Sequence, residues 1–280
     1  MRQGEIDWST LHDGAVIAVV GDSHVYSVAS DDVAHTMPSR LEQYLNSRMG
    51  TGRVRVLNFG VPGYNMVQEL EVLRAKVLQF RPDLIILVYC INDDHISNYI
   101  QPKYPRLNRL LHSSVLLTKA WQHLLYSNFG AKHLLRHVES RAPDLLLYTP
   151  GLVGVPVSRD PDPAHGAQHP TRSPDLVPAR YHEFIGRDNL ERAVRTFGEI
   201  CRTHHIPAVA SGFIEDADVS LYRTAGFQVY TFFDMFRGQN MRAYGYDPDH
   251  NETHFRDSGN DFIGQALAAY VTGRVGDFEQ

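Results

Sequence analysis

The stretch Ala15-Val-Ile-Ala-Val-Val-Gly-Asp-Ser23 decides the fold. Its apolar run is Val/Ile-rich, too short for a buried helix, and stopped by glycine, so it reads as a strand buried on both faces. Leu84–Cys90 (LIILVYC) repeats the pattern after the helix-breaking Arg81-Pro82-Asp83. Between the two runs the period changes. Pro38–Met49 places Leu41, Tyr44, Leu45 and Met49 on one helical face, and Gly50 stops it. Val54–Phe59 reads as another strand. Asn65–Phe80 predicts a helix through Met66, Leu70, Leu73, Val77 and Phe80, with Asn65 as its cap and Gln68 placed to return the bond. The rhythm resumes late in the chain. Asp188–His204 predicts a helix with an Asp188/Glu191 capping pair, Pro207–Ser211 and Phe227–Phe233 read as strands, and Ser258–Thr272 as a closing helix. Alternating β and α with doubly buried strands means an α/β fold, a mostly parallel sheet covered by helices on both faces.

Composition narrows the class. With 43% apolar and 21% charged residues, the 280-residue chain is not intrinsically disordered. The balance of 27 Lys+Arg against 32 Asp+Glu, net −5, lacks the basic excess of a nucleic-acid-binding domain, so no nucleic-acid partner is expected. Two cysteines, Cys90 and Cys201, exclude a disulfide-dense scaffold and read as buried apolar fillers. The longest apolar run, Leu84–Ile91, is less than half a membrane span. The opening MRQGEIDWST lacks the layout of a signal peptide, so a cytoplasmic location is expected.

Residues 95–186 break the rhythm. Leu110–Val138 is apolar and aromatic at helical spacing, and Trp121, Tyr126 and Phe129 there read as core ahead of an acyl pocket. From Pro143 to Pro178, eight of the chain's 15 prolines forbid helix and central strand. This segment is expected to be an insertion in a single domain spanning 1–280. It acts either as a lid or binding loop, or as a surface excursion.

Four segments carry chemistry. Gly21-Asp22-Ser23 leaves the first strand, at the sheet edge where α/β proteins bind ligands. Asn58-Phe-Gly60-Val-Pro-Gly63 leaves the second and opens a helix, where glycines let backbone N–H groups approach a ligand. No Gly-Lys-Ser/Thr follows, so it is not a phosphate loop. Asn92-Asp93 leaves the third strand, and an Asn amide there can donate to an oxyanion. Asp247-Pro-Asp249-His250-Asn251-Glu252-Thr-His254 precedes the last helix and supplies the base and orienting group that a serine nucleophile needs.

Taken in order, the four segments resemble the SGNH (GDSL-like) hydrolase family: GDS at 21–23, N-x-G-x-x-G at 58–63, N-D at 92–93, and the late His segment HFRDSGN. The resemblance covers residues 15–94 and about 188–272. It implies a three-layer α/β/α sandwich with a flavodoxin-like sheet and a serine esterase or lipase-like activity on a small acyl ester, without cofactor or metal. It also implies that Ser23 is the nucleophile, that Gly63 and Asn92 with the Ser23 N–H form the oxyanion hole, and that His254 is the base. His254 is preferred to His250 because the family spaces its histidine five residues before a glycine, here Gly259. Asp22, His24 and Asp93 flank these groups and are expected to border the substrate.

Two positions depart from the family pattern. Cys90 stands where the third block usually has glycine. Asn251 stands where D-x-x-H expects aspartate, so the orienting group is Asn251, Glu252, Asp249 or Asp247. Asp247-Pro-Asp-His250 satisfies D-x-x-H literally and remains the rival. An acyltransferase using an alcohol in place of water, or a weakly catalytic binding protein on the same fold, are the competing functions. A metal site is not expected. No HExxH is present, His133 and His137 read as a solvated helix face, and His204-His205 as a helix end.

Overall fold

The computed structural model describes residues 9–94, 179–250 and 252–273. The helix and proline-rich loop expected within 95–178, and Asn251, lie outside the described residues. The chain divides into two compact units, one of Met1–Asp94 with Arg187–Gln280 and one of His95–Gly186. In the second unit residues 179–186 are described, and they include a short 3-10 segment, Ala179–Phe184.

The first unit is built on a five-stranded sheet, all parallel, in the order β2-β1-β3-β4-β5. Its strands are β1 (Ala15–Gly21), β2 (Val54–Gly60), β3 (Leu84–Tyr89), β4 (Ala208–Gly212) and β5 (Gln228–Val229). The α-helices are α1 (Ser23–Tyr26), α2 (Met37–Met49), α3 (Met66–Ala75), α4 (Arg187–Thr203), α5 (Asp216–Thr224), α6 (Phe232–Met235) and α7 (Asp257–Thr272).

Period-two alternation along each strand creates the layers. Val16, Ala18, Val20, Ile85 and Leu87 pack with Leu70 and Leu73 of α3, Val194 and Phe197 of α4, and Tyr222 of α5. Their neighbours Ile17, Val19, Ile86 and Val88 face the other way, onto Leu41 and Leu45 of α2 and Ile263 and Leu267 of α7. This is the expected α/β/α sandwich. Asp83 fixes the register at the start of β3: its Oδ2 accepts the Val16 N–H at 2.7 Å, and its own N–H donates to Val16 O at 2.7 Å.

Three local expectations are corrected. The helix expected over 65–80 ends at Ala75 and tightens into a 3-10 turn, Val77–Phe80, closed by Arg81 at φ 44° before Pro82. A 3-10 turn eclipses positions i and i+3, which buries Val77 and Phe80 together. The strand expected over 227–233 stops early because Thr231 and Asp234 form a capping box that starts α6. The Asp188/Glu191 capping pair does not form. The helix starts at Arg187, which puts Asp188 inside its first turn, and Glu191 instead pairs with Arg187 at 2.8 Å. By contrast, the Asn65/Gln68 capping box on α3 forms as the sequence predicts.

Candidate active site

Sheet order places the site. Chain direction reverses its progress across the sheet between β1 and β3, and ligands bind beyond the carboxyl ends of strands at such a switch point. Ser23 leaves β1 there, and Asn92 and Asp93 leave β3 beside it.

Ser23 opens the one-turn helix α1. Asp22 caps that turn: its Oδ1 accepts the His24 N–H at 3.0 Å and its Oδ2 accepts the Ser23 hydroxyl at 3.0 Å. The turn is braced from β2. Asn58 donates its amide to Val25 O at 2.9 Å and accepts the Gly60 N–H at 2.9 Å. Gly60 passes so close to α1 that a Cβ there would stand 2.3 Å from Tyr26 N. Glycine at 60 is thus a steric requirement of the approach.

The other exit loops are tied to this edge. Val61 N–H donates to Gly21 O at 3.1 Å. Gly63 sits at φ 76°, the left-handed region that favours glycine. Asn92 Nδ2 donates to Tyr64 O at 3.1 Å, and since an amide nitrogen carries two hydrogens, one remains for a ligand. Asp93 is buried. Its Oδ2 accepts the Cys90 N–H at 3.1 Å, and its main-chain carbonyl accepts the first N–H of α3, from Met66, at 3.1 Å.

From the far end of the chain comes His254. Its Nε2 lies 2.8 Å from Ser23 Oγ, joining residues 231 positions apart. Its Nδ1 lies 3.3 Å from Thr253 Oγ1. Burial lowers the His254 pKa from its ordinary value, against a smaller opposing effect of Asp22, so the ring is held neutral and able to accept a proton. His24 packs against it, ring centroids 5.0 Å apart, inside a wall of Phe213, Phe232, Tyr246 and Phe255. Burial pushes the His24 imidazole down to about 4, with Asp22 opposing and His254 reinforcing.

The carboxylates offered as orienting groups are engaged elsewhere. Asp247 and Glu252 form an antiparallel backbone bridge. Both Glu252 oxygens meet Arg256, at 2.8 and 2.9 Å, while Asp249 pairs with Arg242 and Asp247 lies 3.4 Å from it. Among the described residues the hydrogen-bonding neighbour of His254 Nδ1 is therefore a hydroxyl. Sequence reasoning did not single out Thr253, because one threonine beside a histidine carries no pattern. It also missed Glu69, which is fully buried on α3. Its signal was available: Glu69 stands three residues after Met66 and four before Leu73, inside the apolar stripe. Among the described residues no cluster of three or more His, Cys, Asp or Glu side chains is arranged to hold a metal ion, and no helix is long and apolar enough to cross a membrane.

Residues 19–262 match the model of the GDSL-like Lipase/Acylhydrolase family. Among solved structures the chain is similar to LAE5, an alpha/beta hydrolase enzyme from the metagenome of Lake Arreo, Spain, at 12% identity and TM-score 0.50, over 92% of this chain and 95% of that one. It is also similar to the psychrotrophic esterase EstA from Pseudoalteromonas sp., at 7% identity and TM-score 0.47, over 93% of this chain and 98% of that one. A catalytic mutant of Axe2, an acetylxylan esterase from Geobacillus stearothermophilus, is similar at 12% identity and TM-score 0.46, over 92% of this chain and 95% of that one. No curated protein matches the chain. At 12% identity the likeness to LAE5 bears on the fold alone.

Proposed function

The chain belongs to the GDSL-like lipase/acylhydrolase family, and from that premise we propose that it is a serine esterase acting on a small acyl ester, with Ser23 as nucleophile and His254 as general base. The observation that carries this reading is the 2.8 Å approach of His254 Nε2 to Ser23 Oγ. A serine hydroxyl is a weak nucleophile until a base at hydrogen-bonding distance takes its proton.

The chemistry follows from the two positions of that proton. With Nδ1–H donating to Thr253 Oγ1, Nε2 is the lone-pair nitrogen, and the Ser23 hydroxyl, 3.0 Å from Asp22 Oδ2 and 2.8 Å from Nε2, must turn its one proton from Asp22 to Nε2 to react. As Oγ bonds to the ester carbonyl carbon, the proton moves to Nε2, and the carbonyl electrons collect on its oxygen. The Ser23 N–H, the Gly63 N–H and the second Asn92 amide hydrogen are the donors assigned to that oxyanion. The imidazolium then protonates the leaving alcohol as the C–O bond breaks. Water, deprotonated by the same His254, releases the acid from Ser23. Asp22 supplies negative charge to the imidazolium from the serine side, as its pKa-raising effect on His254 indicates. A hydroxyl at Nδ1 can accept the ring N–H but stabilises the cation less than a carboxylate would.

Short-chain p-nitrophenyl ester turnover tests the assignment, measured for wild type, Ser23→Ala and His254→Ala. Loss of turnover in both variants, with fluorophosphonate labelling lost in Ser23→Ala, is the expected result. Equal labelling of wild type and Ser23→Ala would remove Ser23 from the mechanism.

A further inference from the structure

Ser23 and His254 come from opposite ends of the chain, and the apolar packing of the aromatic wall around them is non-directional. Beyond the catalytic contact itself, a polar cluster joins the same two segments. Asp257, the first residue of α7, accepts the Ser30 hydroxyl on Oδ1, and its Oδ2 lies 3.0 Å from His35 Nδ1. Asn260, one turn on, donates its amide to Ser30 Oγ at 2.9 Å. A hydroxyl has one hydrogen to give. Ser30 gives it to the carboxylate in preference to the His35 carbonyl at 3.4 Å, and its lone pair takes the Asn260 amide.

Each side of the cluster is tied to a reacting residue. Val28 N–H donates to Ser23 O at 3.2 Å, and Ser30 N–H to Ser27 O at 3.0 Å. Ser27, at φ 60°, closes α1; its hydroxyl donates to His24 O at 3.2 Å and accepts the Met37 N–H of α2 at 3.0 Å. On the other side Arg256, between His254 and Asp257, donates its N–H to Tyr244 O at 3.0 Å. Ser30 and Asn260 are themselves buried, at 3% and 2% exposure. An apolar pair would cover that surface with no demand on geometry, whereas buried polar groups are costly unless they meet in one arrangement. A second acid on the same face of α7 holds the helix down further along. Asp261 accepts the Tyr44 hydroxyl at 3.0 Å and lies 3.4 Å from Arg40 Nε, both partners on α2. Loss of Asp257 therefore frees the end of α7 nearest His254 while the rest stays docked.

We propose that Asp257 is a positioning residue. With Ser30, Asn260 and His35 it clamps the start of α7 to the segment that follows α1, and so holds His254 Nε2 on Ser23 Oγ. Its effect on the rate rests on the serine-esterase reading; the clamp does not. Asp257 touches neither substrate nor the reacting atoms.

Three variants test this. Asp257→Ala removes both side-chain contacts. Asp257→Asn keeps an acceptor for Ser30 and offers an amide to His35. Asp261→Ala removes the ties one turn further along. In ester turnover Asp257→Ala is expected to lose about tenfold in kcat with KM little changed, because displacing a reacting group weakens the transition state more than binding. Asp257→Asn should stay within about threefold of wild type, since its carboxamide can remake both contacts. Asp261→Ala should melt below wild type and still keep kcat within about threefold, since Coulombic and hydrogen-bonding losses there leave the site end of α7 in place. A residue that only stabilised the fold would make kcat follow Tm in both alanine variants. The 15N shifts of the His254 ring read its bond to Ser23 without turnover. They should move in Asp257→Ala toward their values in Ser23→Ala, and hold in Asp261→Ala. Ring shifts unmoved in Asp257→Ala, equal kcat in the two alanine variants, or Asp257→Asn as impaired as Asp257→Ala, overturns the proposal. A wild-type protein with no esterase activity would defeat the serine-esterase reading, and the ring shifts would then decide the clamp.

Discussion

Replacing Gly60 with alanine places a methyl group 2.3 Å from Tyr26 N and 2.7 Å from Val25 C, both backbone atoms. Ordinary contact begins at about 3.4 Å, so α1 must retreat by about 1.1 Å or the end of β2 must yield. Neither is free to do so. Asn58 binds β2 to Val25 O, and β1 and β2 are paired in parallel as far as Gly21 and Gly60. Overpacking against fixed neighbours costs about 1–3 kcal/mol, and backbone on both sides argues for the upper end. In a domain of this size about 3 kcal/mol corresponds to a Tm fall of roughly 6–12 °C. Activity should suffer separately. Ser23 belongs to the same single turn as Tyr26, and a misplacement of about 1 Å at a reacting group costs on the order of 10²-fold in rate. The assay is kcat/KM on a short-chain p-nitrophenyl ester beside a circular-dichroism melt. Gly52→Ala is the control. Gly52 sits at φ 76° with nothing within 4 Å of a Cβ, so it should lose roughly 1–2 kcal/mol from backbone strain and keep its activity. If Gly60→Ala retains kcat/KM within threefold and melts with wild type, the close packing of β2 behind Ser23 does not position the nucleophile.

Two further predictions concern the reaction itself. Because burial lowers the His254 pKa and the base must be neutral, activity should rise with pH through an acid limb centred below 6.5, and Asp22→Asn should move that limb lower still by removing the opposing charge; a kcat/KM–pH profile centred at or above 6.5 would contradict the assignment of His254 as base. Asn92→Ala should lower kcat by about 10²–10³-fold with KM changed far less, read from steady-state kinetics on the same ester.

The strands show how much was open to sequence reading. Ala15–Gly21 and Leu84–Tyr89 announce themselves because a strand covered on both faces must be apolar at every position. The Asn65/Gln68 box was equally legible, since capping is chemistry between residues three apart. Phe227–Phe233 reads as a strand throughout for a related reason. Its apolar residues satisfy both a strand and a short buried helix, and Thr231 with Asp234 decided for the helix.

The sequence by itself determined the α/β alternation, and it nominated Ser23, Gly63, Asn92 and His254, because each stands at a strand exit or before the closing helix in an order the family shares. Two histidines, His250 and His254, compete in the sequence for the serine, and the geometry brings His254 Nε2 to 2.8 Å. Among the described residues, only the tertiary structure puts Thr253 at its Nδ1 and draws the nearby carboxylates to Arg242 and Arg256. It alone revealed that Glu69 and Asp93 are buried. The physical reason is range. Periodicity and capping act within a few residues, whereas desolvation and charge pairing depend on what the folded chain brings within a few ångströms, and sequence spacing does not record that distance.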